Sequence, residues 1–369
     1  MAKKKQEDSN LDGLSLDELK TTLIGAQEVN DQELIEALES KIALEEKKAK
    51  RDDKIMKKFT KLTDYKKKSK YETKRYKAQE WINMSPAFKE VTCLPGLPLG
   101  HTIMNFGKSD TGKSTMALEA AAAAQKQGIV PVFIITEKKF SYERAEKFGV
   151  DFEDALMHDG VETLEDAIDI LDGYLDDQEK GILPFDLFFI WDSVGATPSK
   201  REFEAAKKND GSNGGMMVAA KFLREKYGRY ISHRINNTRK DEFPYTSTCL
   251  IVNQAYTAPP AMPSGPPSLI PYGGDGIFYA ATLVFRQGGV QGRSSKIVAQ
   301  KSGKKVGFAL KSKLVVEKNH ITNVTAQGEI LCTDHGFLVN TKEAIDAYKN
   351  EYASDWDLEY DKHWHLELD

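Results

Sequence analysis

Eight consecutive residues, Gly107-Lys-Ser-Asp-Thr-Gly-Lys-Ser114, restrict this chain more than any other stretch of it. They match G-x-x-x-x-G-K-[ST] without a mismatch, and the pattern carries physical meaning when a strand precedes it and a helix follows. Both neighbours fit. Thr102–Phe106 is a strand candidate, and Ser114–Gln127 is rich in alanine, the strongest helix former. The glycines let backbone N–H groups turn inward around phosphates, and the helix N-terminus adds partial positive charge. Gly107, Lys108, Ser109, Asp110, Thr111, Gly112, Lys113, Ser114 and Thr115 are therefore expected to cradle a nucleotide. Lys113 should reach the β- and γ-phosphates, and Ser114 should place its hydroxyl on Mg2+. MgATP is the expected occupant.

The surrounding pattern predicts the fold class. Val130–Thr136, Leu187–Trp191 and Thr248–Asn253 read as further strands, with amphipathic Leu164–Leu175 as a helix among them. Alternating β and α at this spacing predicts an α/β fold, a mainly parallel sheet flanked by helices on both faces. Thr282–Arg286, Phe308–Glu317 and Glu329–Thr333 look like strands added at one edge. Ligands of such sheets sit at the C-terminal ends of strands, which singles out three residues. Asp192 closes the apolar run Phe188-Phe-Ile-Trp and is placed to hold Mg2+ through water. Glu137 follows Val132–Thr136 and is suited to orient and deprotonate an attacking water. Gln254 ends Cys249–Asn253; it is either a γ-phosphate contact or an ordinary polar strand end.

The ends differ from this middle. Residues 1–90 read as charged helices, with capping-box patterns at Ser15/Glu18 and Asn30/Glu33 ahead of leucine-bearing stretches. The net charge of −4 hides a polarity: residues 45–80 hold fifteen Lys/Arg against seven Asp/Glu, and residues 341–369 hold three against nine. Two turn-rich segments, Asn209–Gly215 and Thr257–Gly276, are too long for simple connections. No apolar run suits a membrane span, the N-terminus lacks the apolar stretch of a signal peptide, and three scattered cysteines fit neither a disulfide framework nor a zinc site. A cytoplasmic compartment is the expectation.

The order of these motifs resembles the RecA family of recombinases, most closely its phage-encoded, UvsX-like branch, over about Leu94 to Leu338. Gly96-Leu-Pro-Leu-Gly100 leads into the phosphate loop as in that family. Glu137 with Tyr142–Asp151 resembles its catalytic glutamate and following helix, Trp191-Asp192-Ser193-Val194 its second nucleotide motif, and Asn253-Gln254 its sensor glutamine. The long loop ending in Gly273-Gly274 before Phe278-Tyr279-Ala280 resembles its second DNA loop. The resemblance implies a helical homo-oligomeric filament on single-stranded DNA, with ATP at each subunit interface and homologous duplex DNA as the pairing partner. It implies DNA loops at roughly Glu204–Met217 and Ala255–Gly276, with Lys207 and Lys208 on phosphates and Met262, Leu269, Ile270, Gly273 and Gly274 at the DNA. Lys318, in Val315-Val-Glu-Lys-Asn-His320, matches a segment that reaches into the neighbour's ATP and is expected to stabilise transition-state charge there, while His320 departs from the paired lysines of bacterial members. A single-strand-binding or loading protein and a bacterial or phage-infected host cell are implied as well.

The implied division is residues 1–90 for oligomerisation, with Ile55, Phe59, Leu62 and Trp81 as docking anchors, then an ATPase core over 91–338 and an acidic tail over 339–369. Two other functions use the same core: a DnaB-type hexameric helicase, and a recombination mediator without strand exchange. The prolines before Gly273-Gly274 and the Gly-Val-Asp segment at Gly149–Asp151 favour a recombinase over the first. Intact Lys113, Ser114, Glu137 and Asp192 argue against a dead ATPase.

Overall fold

In the computed structural model, residues 14–68, 78–208, 215–235, 245–258, 268–288, 295–301 and 304–352 are described. The chain divides into two compact units, Met1–Tyr76 and Lys77–Asp369.

The first unit is a helical hairpin of α1 (Leu16–Val29) and α2 (Gln32–Lys68). Ser15 and Glu18 form the expected capping box. Asn30 does not start the second helix, as its sequence pattern suggested. It ends the first, in the left-handed conformation that asparagine tolerates, and the Asp31 carboxylate instead accepts the Leu34 N–H. Leu19, Ala26 and Leu38 are buried between the helices, with Leu23, Leu34 and Ile42 packed around them.

The second unit begins ahead of the boundary read at residue 90. Strand β1 (Trp81–Asn83) pairs antiparallel with β2 (Gly96–Pro98), and α3 (Pro86–Thr92) sends Phe88 into the core. Trp81, expected as a docking anchor, packs against this unit's own core. The side chains of Ile55, Phe59 and Leu62, the other anchors, lie outside the described residues.

The large sheet begins with β3 (Thr102–Gly107), followed by helix α4 (Lys113–Gln125) and β4 (Val130–Ile135). Next come α5 (Tyr142–Lys147), β5 (Leu156–Asp159), α6 (Leu164–Glu179) and β6 (Leu187–Asp192). Beyond them lie α7 (Lys200–Lys207), α8 (Gly215–Phe222), which runs on as a π-helix over Leu223–Ile231, and β7 (Ser247–Ala258). The remainder is β8 (Ser268–Pro271), α9 (Asp275–Ala280), β9 (Leu283–Gln287), β10 (Ser295–Lys301), β11 (Lys304–Asn319), β12 (Gln327–Cys332), β13 (Phe337–Val339) and α10 (Lys342–Glu351). The strand order is β13-β12-β11-β9-β3-β7-β6-β4-β5. From β9 to β5 all pairings are parallel; the expected added strands lie at one edge as β9, β11 and β12, of which β11 and β12 are antiparallel, and β13, not expected, extends them.

Alternation along the apolar central strand builds both faces. Phe188 and Ile190 point into the core shared with α3 and α4, while Phe189 and Trp191 point into the core shared with α6 and the π-helical turn bearing Tyr227. Small residues Ala120, Ala121 and Ala124 bring α4 close against the sheet. The Glu119 carboxylate, its pKa raised by burial, accepts N–H groups of Ser85 and Phe337, tying α4 to α3 and β13.

Two expectations need correcting. The turn-rich segment from Thr257 is not structureless at its ends: β7 runs on to Ala258 and forms an antiparallel ladder with β8. Part of the expected acidic tail is the helix α10, whose Tyr348 packs with Phe308 and Leu331.

Candidate active site

The phosphate loop leaves β3 at Gly107 and enters α4 at Lys113. Its shape is fixed internally and from below. Thr111 donates its hydroxyl proton to the Lys108 carbonyl (2.9 Å), and the Lys113 ammonium donates to the same oxygen (2.6 Å). Gly112 has φ +92°, and a Cβ there would sit 2.2 Å from Cys332 Sγ and 2.8 Å from Gln287 Nε2. A Cβ at Gly107 would meet the Gln287 carbonyl at 2.1 Å. Both glycines are thus required by close approach to the ends of β9 and β12. Gln287 is itself held, accepting from Asn105 Nδ2 (2.8 Å) and donating weakly to Cys332 Sγ (3.5 Å).

Register brings the other residues to the same sheet end. Gly107 lies opposite Gln254, and Asp192 lies beside Ile135 and Val252. Ser114 Oγ donates to Asp192 Oδ2 (3.1 Å). Glu137 Oε1 accepts from Ser193 Oγ (2.5 Å) and from Gln254 Nε2 (2.9 Å). Behind it Thr136 accepts the Ser193 N–H (3.0 Å), and its hydroxyl faces those of Thr197 and the Ser193 carbonyl. The Asp192–Ser193 peptide is cis. Ser114, Glu137, Asp192, Gln254 and the loop residues line one cleft of about 270 Å³, joined by Lys139 and Arg144.

The electrostatics are those of a crowded acidic pair beside one lysine. Desolvation, and then the Glu137 charge, push the Asp192 carboxyl up to about 6, against the Ser114 hydrogen bond and the Lys113 charge. Desolvation lowers the Lys113 pKa, opposed by Asp192, Glu137 and Asp110. The Ser114 hydroxyl and the Asp192 carboxylate, in contact beside the loop, form the hard-oxygen donor set that suits Mg2+ shared with phosphates. No cluster of three or more His, Cys, Asp or Glu suited to a metal occurs among the described residues, and Mg2+ bound mainly through phosphate and water needs none.

Several residues of this site carried no sequence signal of their role. Ser193 stood beside Asp192 in the motif but gave no hint that it donates to Glu137. Arg144, on α5, reaches Thr115 Oγ1 (3.1 Å) and pairs with Asp334 (3.3 Å) from the far end of the sequence. Gln287 and Cys332 act only as the floor of the loop.

Other expected residues lie elsewhere. Lys318 sits near the start of β9, paired with Val284, at the sheet end opposite the phosphate loop. Its ammonium donates to the carbonyls of Phe278, Tyr279 and Ala281 (3.0, 3.1 and 2.6 Å), and burial lowers its pKa. It is not brought to Glu137 of its own chain. Lys207 ends α7 with its ammonium over the Phe203 ring (4.3 Å), and Lys208 caps that helix. Leu269 is buried with the Tyr227 core instead of forming an open apolar tip, and Ile270 faces Tyr256 in the hairpin. Gly273 and Gly274 both have positive φ. Met262 lies outside the described residues.

Comparison with known proteins gives a consistent picture. The family model of the RecA N-terminal domain matches residues 53–241, just over half of the chain. A protein from Arthrobacter sp. (strain FB24) described as Protein RecA is 32% identical over 159 residues, covering 43% of this chain and 40% of its own length. Protein RecA of Mesoplasma florum is 32% identical over 133 residues, 36% of this chain and 38% of the relative. Protein RecA of Kineococcus radiotolerans is 39% identical over 109 residues, 30% and 29% of the two chains. The chain thus spans about two fifths or less of the length of these relatives. No helix among the described residues is long and apolar enough to cross a membrane.

Proposed function

The chain belongs to the RecA family, and from that premise we propose that it is a DNA-dependent ATPase that assembles as a filament on single-stranded DNA and pairs it with homologous duplex. One observation carries the reading. The Glu137 carboxylate accepts a hydrogen bond from Gln254, and Gln254 lies on β7, the strand that continues into the proposed second DNA loop. The residue proposed to activate water and the segment proposed to touch DNA are therefore joined by one side-chain contact.

In this reading Lys113 and the loop amides bind the triphosphate. Ser114 and Asp192 would hold Mg2+, which when bound neutralises phosphate charge. Glu137, oriented by Ser193 and Gln254, takes the proton of the attacking water. A γ-phosphate that draws Gln254 toward itself loosens the grip on Glu137 and shifts β7, so nucleotide and DNA loop respond together. Lys318 would act in a neighbour's site, a reading supported by its place at the end of its own sheet away from Glu137.

Electron microscopy with single-stranded DNA and a slowly hydrolysed ATP analogue tests the proposal, together with ATP turnover with and without DNA. Continuous filaments and DNA-stimulated turnover are expected. Closed rings would replace the reading with a hexameric helicase, and filaments that hydrolyse ATP but fail to exchange strands would reduce it to a mediator.

A further inference from the structure

The long helix α2 carries a feature that the ATPase site does not use. Lys47, Arg51, Lys54, Lys58 and Lys61 follow one another at alternating steps of four and three residues. At the α-helical period these positions share one stripe, roughly 80° wide and about 21 Å long. All five side chains are exposed. The acids of the same stretch, Glu45, Glu46, Asp52 and Asp53, fall off the stripe, and three of them pair with cations outside it: Glu45 with Lys48 (2.6 Å), Asp53 with Lys57 (2.6 Å) and Glu46 with Lys20 of α1 (2.9 Å). Among the described residues, none of the five stripe cations forms an ion pair.

Like charges at i,i+3 and i,i+4 repel and weaken a helix. A sequence that interleaves acids elsewhere in this helix, at Glu45, Asp52 and Asp53, places none in the stripe. We propose that this stripe is a second nucleic-acid site on the helical unit, and that it docks along the phosphate backbone of duplex DNA. Charge complementarity names an anionic partner. A straight, rigid row of cations suits the regular phosphate array of a duplex, whereas a flexible single strand is more readily held by loops and stacking aromatics. Neither base edges nor sequence enter, so the binding is non-specific and salt-dependent. The inference deepens the reading of a DNA-acting ATPase but rests on the helix alone.

The test uses the full chain with Arg51, Lys54 and Lys58 all changed to glutamine, a good helix former. Binding of a labelled random-sequence duplex, without nucleotide, is followed by fluorescence anisotropy over a series of salt concentrations. Each phosphate contact contributes about 0.9 to the slope of log K against log salt, so the triple variant should lose about 2.7 of slope. A Lys48→Gln/Lys57→Gln variant should keep its slope within about 0.5, because those ammonium groups already have carboxylate partners. Circular dichroism checks that helix content is unchanged.

An unchanged slope in the triple variant overturns the proposal, as does an equal loss per charge in the off-stripe variant. Loss of binding to phosphatidylserine vesicles with duplex binding intact also overturns it, in favour of a membrane surface. Single-strand-stimulated ATP turnover, measured on the same proteins, should not move. If the unaltered chain shows no such turnover, the proposed function falls while the duplex slopes still decide the stripe.

Discussion

Replacing Asp192 by asparagine should stabilise the nucleotide-free protein at neutral pH while abolishing Mg2+-dependent hydrolysis. The carboxyl is pushed up to about 6 by desolvation and by Glu137, against an ordinary value of about 3.9. Below the ordinary value, folded and unfolded chains both carry the proton and the group has no effect on stability. Between the two values the folded chain keeps the proton and the unfolded chain releases it, so stability falls as pH rises. Above about 6 the full cost is present, about 3 kcal/mol at about 1.4 kcal/mol per pKa unit. Roughly 1.4 kcal/mol of it develops between about pH 5 and 8, where the protein can be handled. Asparagine keeps the shape and can still accept from Ser114, so the variant should lack this pH dependence. Urea unfolding of both proteins at several pH values, without nucleotide or Mg2+, reads the difference directly. Stability curves that run parallel from pH 5 to 8 would refute the reasoning, because they would mean that Asp192 ionises as an ordinary surface carboxylate.

Three further expectations follow from the same geometry. Glu137→Gln should bind ATP normally and hydrolyse it about 10²- to 10⁴-fold more slowly; unchanged turnover removes Glu137 from the role of base. Gly112→Ala should abolish nucleotide binding and lower stability by about 1–3 kcal/mol, since it forces an L-residue into positive φ against Cys332 Sγ. Adding Cys332→Ala should restore part of the stability, and a Gly112→Ala protein that binds ATP like the parent would contradict the packing described. Finally, Lys113→Ala and Lys318→Ala chains should each be nearly inactive alone, yet regain turnover when mixed, because a mixed interface unites an intact loop with an intact Lys318; a mixture no better than the sum of its parts would rule out action across an interface.

The parallel sheet and its phosphate loop were readable because their signals are local. A glycine-lysine-serine loop, an alanine-rich helix and apolar runs leading into Asp192 and Gln254 each declare themselves within a few residues. The hydrogen bonds from Ser193 and Gln254 to Glu137 were not readable, since they depend on register between strands far apart in sequence. The same holds for Arg144, whose partner Asp334 sits in the turn between the added strands β12 and β13. Capping at Asn30 was misread because asparagine serves both ends of a helix, and only the following Asp31 decides between them. The short edge strand Leu156–Asp159 carries no alternation strong enough to mark it, and its parallel pairing with β4 reveals it.

The phosphate loop is usually read as a self-contained signature, yet here it rests on a foundation laid much later in the chain. Gln287 closes β9 and Cys332 closes β12, and both press against the loop glycines more tightly than any added atom would allow. The match to the RecA N-terminal domain model ends at residue 241, before either of them. A fragment cut to that likeness would keep every letter of the motif and lose the ground beneath it, so recognition by motif and competence to bind have different minimum lengths in this protein.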